Sequence, residues 1–290
     1  MAPLQPIAAR RNGFTLIELL VTMSVAAVVV CFMALFITTP VETYLAQTRR
    51  TELNKSVEGA WGWISADIRT ALPNSVRTLR NGSVVALEML TVVDWGRYRD
   101  GTVMITPAIQ LDLTAPDGAF NTTSQFLNIA VPFTSNADFL VVETLTADPY
   151  QTPNVMTPAG TVVKIIHSAT IPGEDQVTIA PSIRFAAASP THHVFLVSGP
   201  VNYLCDEGAG TLRRYTGYSI AGSLAARSSD IQLTGAGATS ALVATNVTSC
   251  TTAVSAGTAQ HNQVATLQIT FSQAGESMFL MQQAQVEYQP

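Results

Sequence analysis

One carboxylate, Glu18, lies at the start of a long uncharged stretch, and its position there requires a chemical explanation. Residues 19–37 include no charged residue. A charged side chain in hydrocarbon costs on the order of 3 kcal/mol even on lenient insertion scales, so a carboxylate there indicates a functional contact with a group of opposite charge. The alternative is that Glu18 lies at the level of the lipid headgroups and reaches water there. Both interpretations place Glu18 at a membrane.

The apolar stretch is long enough to cross a membrane. At about 1.5 Å per residue, residues 19–37 span close to the roughly 30 Å of a bilayer's hydrocarbon core. A cleaved secretory signal is also basic and then apolar, but its apolar region usually has only about 7 to 15 residues. Arg10 and Arg11 precede the stretch, and the next charged residue after Glu18 is Glu42. The positive-inside rule therefore predicts a cytoplasmic N-terminus, with the rest of the chain outside the inner membrane.

The residues around Glu18 form a motif that resembles the leader and cleavage site of type IV prepilins and type II secretion pseudopilins. Two arginines, Gly13, the aromatic Phe14, three further residues and Glu18 lead into the apolar stretch. The resemblance implies that a membrane-embedded prepilin peptidase cuts between Gly13 and Phe14 on the cytoplasmic face and methylates the new amine. It also implies that Glu18 pairs with the N-terminal amine of a neighbouring subunit during assembly. Residues 1–13 are then a leader that is removed, and residues 14–39 are the transmembrane and assembly helix.

After the apolar stretch, residues 40–72 are predicted to form an amphipathic helix outside the membrane. Apolar side chains recur mostly at steps of three and four residues, which is the spacing of one helix face. Pro40 is expected to kink the helix near the membrane exit, and Leu72-Pro73 is expected to end it. Trp61 and Trp63 are expected to pack in the core against a sheet. The apolar positions are Tyr44, Leu53, Val57, Ala60, Trp61, Ile64, Ile68 and Leu72.

From residue 73 to residue 290 the apolar period shortens to two, or to short runs between Gly, Pro, Asn and Asp, which predicts a β-rich head. The segments 198–200 and 206–210 are interpreted as turns that divide residues 193–219 into a three-stranded meander. The Gly-, Ala-, Ser- and Thr-rich segments 221–240 and 249–260 are interpreted as surface loops. The predicted fold class is α+β, a long N-terminal helix packed on a large, mostly antiparallel β head. The candidate strands are residues 83–93, 126–132, 139–144, 161–167, 176–179, 193–197, 201–205, 212–219, 241–246, 264–271 and 278–288.

The cysteines divide by environment. Cys31 falls in the apolar helix, where it behaves as a small hydrophobic residue, and this leaves Cys205 and Cys250 as the pair on the exported side. An oxidising periplasm is expected to join these two in a disulfide. The alternative is a catalytic or metal-binding role for either thiol, but no Cys-x-x-Cys motif or nearby set of cysteines and histidines supports it.

Neither the spacing of the histidines nor a search for known catalytic motifs indicates an enzyme. His192 and His193 are adjacent, so in a strand they point to opposite faces and cannot share one metal ion. His167 and His261 have no ligand-like spacing around them. Residues 217–221 lack the final glycine of a nucleophile elbow, and the sequence has no glycine-rich phosphate loop ending in Lys-Ser or Lys-Thr. No catalytic residue is predicted.

The acidic residues and the net charge add little chemistry. Asp206 and Glu207 could bind calcium in their glycine-rich turn, but a solvated hairpin tip is the preferred interpretation. No metal or cofactor is predicted. Charged residues make up 12% of the chain and the net charge is −5, which argues against a general nucleic-acid-binding protein, because such proteins cluster Lys and Arg against phosphates.

Three further stretches resemble the minor pilins of mannose-sensitive haemagglutinin (MSHA) pilus systems. They are residues 67–77, residues 201–206 together with 210–215, and residues 242–247 leading to Cys250. Many major pilins carry a proline near the middle of the apolar helix, whereas Pro40 comes late in this chain. That departure favours a low-copy minor pilin over a major subunit.

The sequence therefore leaves three hypotheses of different classes. The first is a minor pilin or pseudopilin that primes assembly or caps the filament, with a type II secretion pseudopilin of the J type as the near alternative. The second is a tip adhesin whose head binds an external surface. The third is a membrane-anchored periplasmic enzyme whose leader mimics a prepilin.

The first hypothesis implies the partners and the location of the chain. The expected partners are the prepilin peptidase, other minor and major pilins, the pilus assembly platform and the inner membrane, without nucleic acid. The expected location is a single pass through the bacterial inner membrane with the C-terminal head in the periplasm, and then an assembled pilus or pseudopilus.

Overall fold

The computed structural model describes residues 13–99, 109–142, 145, 148–258 and 261–287. It divides the chain into two compact units, Met1–Glu52 and Leu53–Pro290. One α-helix, α1 (Leu16–Arg69), belongs to both units and continues through Pro40. The predicted leader, with Arg10 and Arg11, lies outside the described residues.

The part of α1 in the second unit is amphipathic, as its residue spacing predicts. Leu53, Val57, Ala60 and Ile64 are buried, and Ile68 follows one turn later. The prediction for the tryptophans is only half right, because Trp61 packs partly against the core whereas the Trp63 side chain is 59% exposed. Two positions apart on a helix differ by about 200° around the axis, so the pair cannot face one core together.

The helix ends close to its predicted position. Its last turn continues through the N–H groups of Thr70 and Ala71, which donate to Ala66 O and Ile68 O at 3.2 Å each. The Leu72 N–H then donates to Leu90 O at 2.7 Å, so the chain passes directly from the helix to the edge of a strand. Pro73 follows, and Asn74 turns the backbone with a φ of 59°.

The rest of the second unit is built from antiparallel sheets, and the fold class is α+β as predicted. The strands are β1 (Arg77–Asn81), β2 (Val84–Arg97), β3 (Asp117–Thr122), β4 (Phe133–Ser135), β5 (Phe139–Val141), β6 (Val162–His167), β7 (Asp175–Ile183), β8 (His193–Asp206), β9 (Thr211–Thr216), β10 (Thr239–Thr245), β11 (Val247–Ser255), β12 (Val264–Gln273) and β13 (Glu276–Gln285). The main sheet has the order β1-β2-β8-β9-β10, and β5 also pairs with β8. A second sheet has the order β3-β7-β6-β4, and β11-β12-β13 form a third, here named the C-terminal sheet.

Two predictions about strands are wrong. Residues 198–200 are not a turn, because β8 runs through them and pairs with β2 along its length. Gly199 adopts a φ of 127° opposite a register shift between Thr91 and Val92, so the Gly-Pro pair marks a bulge. Residues 126–132 are irregular, since the Phe126 N–H donates to the carboxylate of Asp175 at 2.8 Å. The Asp175 side chain thus supplies the acceptor that the backbone of a neighbouring strand would otherwise supply.

The two segments predicted as loops contain regular structure. Residues 221–240 hold a 3-10 turn (Leu224–Arg227) and a short helix, α2 (Asp230–Gly235), whose first turn is capped by Ser229. Residues 249–255 belong to β11. The strands β1, β3 and β4 were not predicted, because each is short and carries few apolar residues.

The core of the second unit forms around the C-terminal part of α1. The largest cluster joins α1 to the inward side chains of the main sheet and of the C-terminal sheet, including Met89, Tyr203 and Phe271. Another cluster lies between the second sheet and the first half of β8, with Phe120 and Leu196 fully buried. Strand β8 therefore contributes to more than one core.

Candidate functional site

The predicted processing site directly precedes α1. Gly13, Phe14 and Thr15 are outside the helix, and the Phe14 side chain is 76% exposed. The Glu18 N–H donates to Thr15 O at 3.1 Å and lies 3.3 Å from Thr15 Oγ1, while the Leu19 N–H donates to Thr15 O at 3.2 Å. Thr15 thus satisfies donors of the first turn that have no partner within the helix. The helix start is fixed immediately after the expected cleavage point.

Glu18 lies in the first turn of α1. The N-terminal end of a helix carries a partial positive charge, which favours a carboxylate at this position. The Glu18 side chain is exposed in the single chain. Its carboxylate is therefore open to a cationic group supplied from outside the chain.

The helix that follows Glu18 has an apolar surface that the single chain leaves uncovered. Residues Leu16–Met33 have a mean hydropathy of 2.5, none of the stretch is buried, and its length and composition suffice to cross a membrane. Cys31 is a free, exposed thiol on this helix. An exposed apolar surface of this length requires lipid or other apolar helices around it.

A disulfide joins Cys205 in β8 to Cys250 in β11, with the two Cα atoms 6.5 Å apart. Both cysteines are buried in the core around α1. The bond links the main sheet to the C-terminal sheet. It lies beside the turn that contains Glu207.

The oxygens that could bind calcium in this turn are used within the chain. Arg80 donates to Glu207 Oε1 at 2.9 Å and to Oε2 at 3.2 Å, and the Cys250 N–H donates to Oε1 at 2.8 Å. The guanidinium, together with that N–H, lowers the pKa of Glu207. Asp206 Oδ1 accepts the N–H groups of Gly208 and Ala209 at 2.9 and 3.0 Å. The Asp206 carboxylate closes the hairpin, and the Glu207 carboxylate fastens it to Cys250.

The histidines occupy separate environments. His192 has a φ of 59°, and the His193 ring packs against Trp95 with centroids 5.0 Å apart. His167 Nδ1 lies 2.8 Å from Asp175 Oδ1, and His261 is exposed. Among the described residues no three His, Cys, Asp or Glu side chains are grouped so that they could hold a metal ion.

The structure brings together residues from stretches that are far apart in the sequence. Asp67 on α1 accepts two bonds from Arg214 on β9, from Nε at 2.6 Å and from Nη2 at 3.0 Å, and a third from the hydroxyl of Tyr203 on β8. The carboxylate raises the pKa of the Arg214 guanidinium, and burial followed by the bond to Asp67 raises the pKa of Tyr203. This clamp holds the helix against the main sheet. Sequence reasoning did not predict it.

A second buried charge was also missed. Glu88 on β2 is fully buried and accepts from Arg77 Nε at 2.6 Å and from the Tyr218 hydroxyl at 2.8 Å. Arg77 also donates to the carbonyls of Ala221 and Gly222 at 2.7 Å each. The sequence did contain a signal for this buried charge, because Glu88 is the one carboxylate in a predicted apolar strand and a buried carboxylate needs a partner.

Comparison with known proteins finds one similarity, at the N-terminus. No curated protein and no solved structure matches the chain. Residues 8–30 match the family model of the prokaryotic N-terminal methylation motif. The matched range includes Gly13, Phe14 and Glu18. The motif and the apolar helix that follows it indicate a chain of the type IV pilin and pseudopilin class.

Proposed function

We propose that this chain is a minor pilin, a non-enzymatic structural subunit that primes assembly of a type IV pilus or caps it. The observation that carries the proposal is the methylation motif at residues 8–30, continued by the uncovered apolar helix. In this proposal the prepilin peptidase cuts between Gly13 and Phe14, and Phe14 becomes the methylated N-terminal residue. The partners are that peptidase, the assembly platform and other minor and major pilins.

The assembly role of Glu18 follows from electrostatics. Cleavage after Gly13 creates an ammonium group at Phe14, next to a helix start that is already formed. In hydrocarbon, an ammonium and a carboxylate that meet remove two unpaired charges at once, whereas removing either partner leaves the other unpaired. The exposed Glu18 of one subunit and the amine of the next are such a pair. The helix N-terminus adds a smaller stabilisation of the carboxylate.

The finer assignment to MSHA-type biogenesis rests on the internal sequence stretches that resemble the minor pilin MshO. These stretches supply Asp67, Tyr203 and Arg214, which meet in the clamp. The stretch that leads to Cys250 supplies one end of the disulfide. Residues of these stretches therefore form contacts that hold the head together and against its helix. The proposed location is the inner membrane with the head in the periplasm, before extraction into the filament.

Replacing Glu18 by Val separates processing from assembly. We expect Glu18→Val to be cleaved normally, because the peptidase recognises the residues around Gly13, and to reduce surface filaments, because the neighbouring amine loses its partner. Mass spectrometry of the mature N-terminus checks the first outcome, with methylated Phe14 expected. Electron microscopy of the cells checks the second. Thr22→Val, an exposed polar-to-apolar change on the same helix, is the matched control and should retain filaments.

These strains, together with a deletion strain, discriminate among the alternative functions. Normal filaments with Glu18→Val would contradict the assembly role, and an unprocessed N-terminus in the wild-type chain would contradict the pilin assignment itself. A deletion strain that keeps its pili but no longer secretes proteins would assign the chain to a type II secretion pseudopilus instead.

A further inference from the structure

The C-terminal sheet differs from the rest of the head in its lack of charge. Along β11, β12 and β13 the single charged residue is Glu276, at the first position of β13. The inner side chains of the sheet, such as Ile269 and Leu280, pack into the core around α1. The outer side chains face away from that core.

The outer face presents three cross-strand rows. The rows are Ser249–Thr270–Phe279, Thr251–Gln268–Met281 and Ala253–Thr266–Gln283. On β11 and β12 the rows hold uncharged side chains, all of them polar except Ala253. On β13 two of the rows end in Phe279 and Met281, whose side chains are 60% and 54% exposed, and the third ends in Gln283. The apolar area is therefore concentrated at the edge of the sheet.

The edge strand β13 lacks the usual protection against pairing with a further strand. Among the described residues β13 pairs with β12 alone, so every second N–H and C=O along it points outward without a neighbouring strand. Soluble proteins usually protect such an edge with a charged residue, a proline or a bulge. The pairing of β12 with β13 is regular from Val264–Gln285 to Gln273–Glu276, and the middle of β13 has neither charge nor proline.

Another exposed apolar position, on the edge strand β10, has a charged residue beside it. On β10, Leu242 is 53% exposed and stands opposite Arg213 of β9. The residues opposite Phe279 and Met281 are Thr270 and Gln268. Of these two edges, β13 is the one at which a second strand would meet apolar side chains without a charge beside them.

We propose that β13 pairs antiparallel with β13 of a second copy of this chain and so joins two C-terminal sheets into one. A register centred on Leu280 places Phe279 opposite the partner's Met281, and Met281 opposite the partner's Phe279. Each exposed apolar side chain then gains an apolar neighbour on the same face. The contact is self-complementary, as a twofold interface requires.

The charges of the two copies are compatible with this register. Glu276 falls opposite the partner's Ala284, which lies about eight residues along the strand from the partner's own Glu276. At about 3.4 Å per residue, the Glu276 carboxylates of the two copies are therefore about 27 Å apart. The chain carries a net charge of −5, so two copies repel each other overall. An edge whose middle has no charged residue adds nothing to that repulsion. This favours a second copy over a basic partner, for which the edge offers no carboxylates. The inference is independent of the processing and assembly roles of Phe14 and Glu18.

Cysteine cross-linking in the membrane tests the register. Two differently tagged full-length copies are co-expressed in a Cys31→Ser background, one with Phe279→Cys and the other with Met281→Cys. Mild oxidation is expected to yield a disulfide-linked pair that carries both tags. The matched control uses Ser249→Cys with Thr251→Cys, which lie in the same two rows on the far strand of the sheet. Absence of the mixed pair, or an equal yield from the control, would overturn the proposal, as would cross-linking of the edge cysteines to a different protein instead.

A charge placed at the edge tests the contact without added cysteines. In sedimentation of the detergent-solubilised full chain, Met281→Lys is expected to weaken dimerisation by about tenfold or more, because the lysine would be buried opposite an apolar residue. Thr251→Lys places the same charge on the same face, away from the edge, and should dimerise like the wild type. Both sites are exposed, so both variants are expected to fold. Equal dimerisation of the two variants would show that β13 does not form the contact.

Discussion

His193 is a titratable residue whose side chain is buried in the head. Its ring packs edge-on against the rings of Trp95 and Phe195, and Nδ1 is 2.9 Å from Thr191 Oγ1. Burial, with smaller contributions from the nearby Arg97 and His192, lowers the pKa of His193 from 6.5 to about 4. The imidazole is therefore neutral in the folded protein under conditions in which the unfolded chain already takes up a proton.

This difference predicts acid sensitivity of the head. Because the folded pKa is the lower one, the unfolded state binds more protons between pH 6.5 and 4, and the free energy of unfolding falls as the pH drops through that window. The loss from His193 amounts to about 3 kcal/mol. We expect His193→Gln to flatten the pH dependence of urea unfolding in this range by that amount. His261→Gln, at an exposed histidine, is the control, and an unchanged slope in His193→Gln would contradict the prediction.

The processing and assembly residues proposed from the sequence are neighbours in the chain. Gly13, Phe14 and Glu18 form one short motif, and the family comparison detects the same segment. The Asp67–Arg214 pair spans 147 positions. No local pattern in the sequence specifies such a pair, because it depends on the register of β9 against α1.

At the scale of elements, the segment that joins β9 to β10 is held to the sheet by buried polar contacts. Tyr218, Leu224 and Leu233 from this segment cover the outer side of β2 and β8. Arg77 reaches across to it while its side chain stacks on the Tyr150 ring, with Cζ 3.5 Å from the ring centroid. The segment predicted as a surface loop is therefore a fixed cover.

Removing the Arg77 guanidinium is expected to release this cover. Arg77→Met leaves the fully buried Glu88 without a cation and should cost about 3 kcal/mol or more of unfolding free energy. The 3-10 turn would open, so trypsin should cut after Arg227 faster than in the wild type. Arg213→Met, at an arginine of the same sheet, is the control and should change stability by less than about 1 kcal/mol. Unchanged cleavage after Arg227 would argue against the role of Arg77.

The errors in the strand prediction have physical causes. Glycine and proline usually end a strand, but Gly199-Pro200 adjoins a bulge in β8, where Ser198 is the extra residue and an unusual φ and a missing N–H are tolerated. The Thr- and Ser-rich β11 resembled a loop because both its outer face and part of its inner face are polar. The apolar alternation that identifies a strand was thus absent although the β-branched threonines favour one. By contrast, the strongly periodic second half of α1 was predicted nearly to its end.

At the scale of the whole molecule, the Cys205–Cys250 bond ties the main sheet to the C-terminal sheet across a sequence separation of 45 residues. Closing a loop of that length removes about 4 kcal/mol of conformational freedom from the unfolded chain in the entropy model. We expect the double variant Cys205→Ala/Cys250→Ala to lose stability of that order, measured by urea unfolding of the detergent-solubilised chain.

A reductant supplies the control for this measurement. It should lower the unfolding midpoint of the wild-type chain and of Cys31→Ser, whose disulfide is intact, but it should leave the double variant unchanged. If the wild-type midpoint did not respond to the reductant, the disulfide would not stabilise the head.

Strand β8 has a consequence for how the head comes apart. Its first half supplies Val194 and Leu196 to the core beneath the second sheet, and its second half supplies Val201 and Tyr203 to the core around α1. Because no turn interrupts it at Gly199, neither core can melt without removing backbone pairing from the other. We therefore expect the head to unfold as one cooperative unit, and hydrogen exchange should find the amides of β8 among the last to exchange.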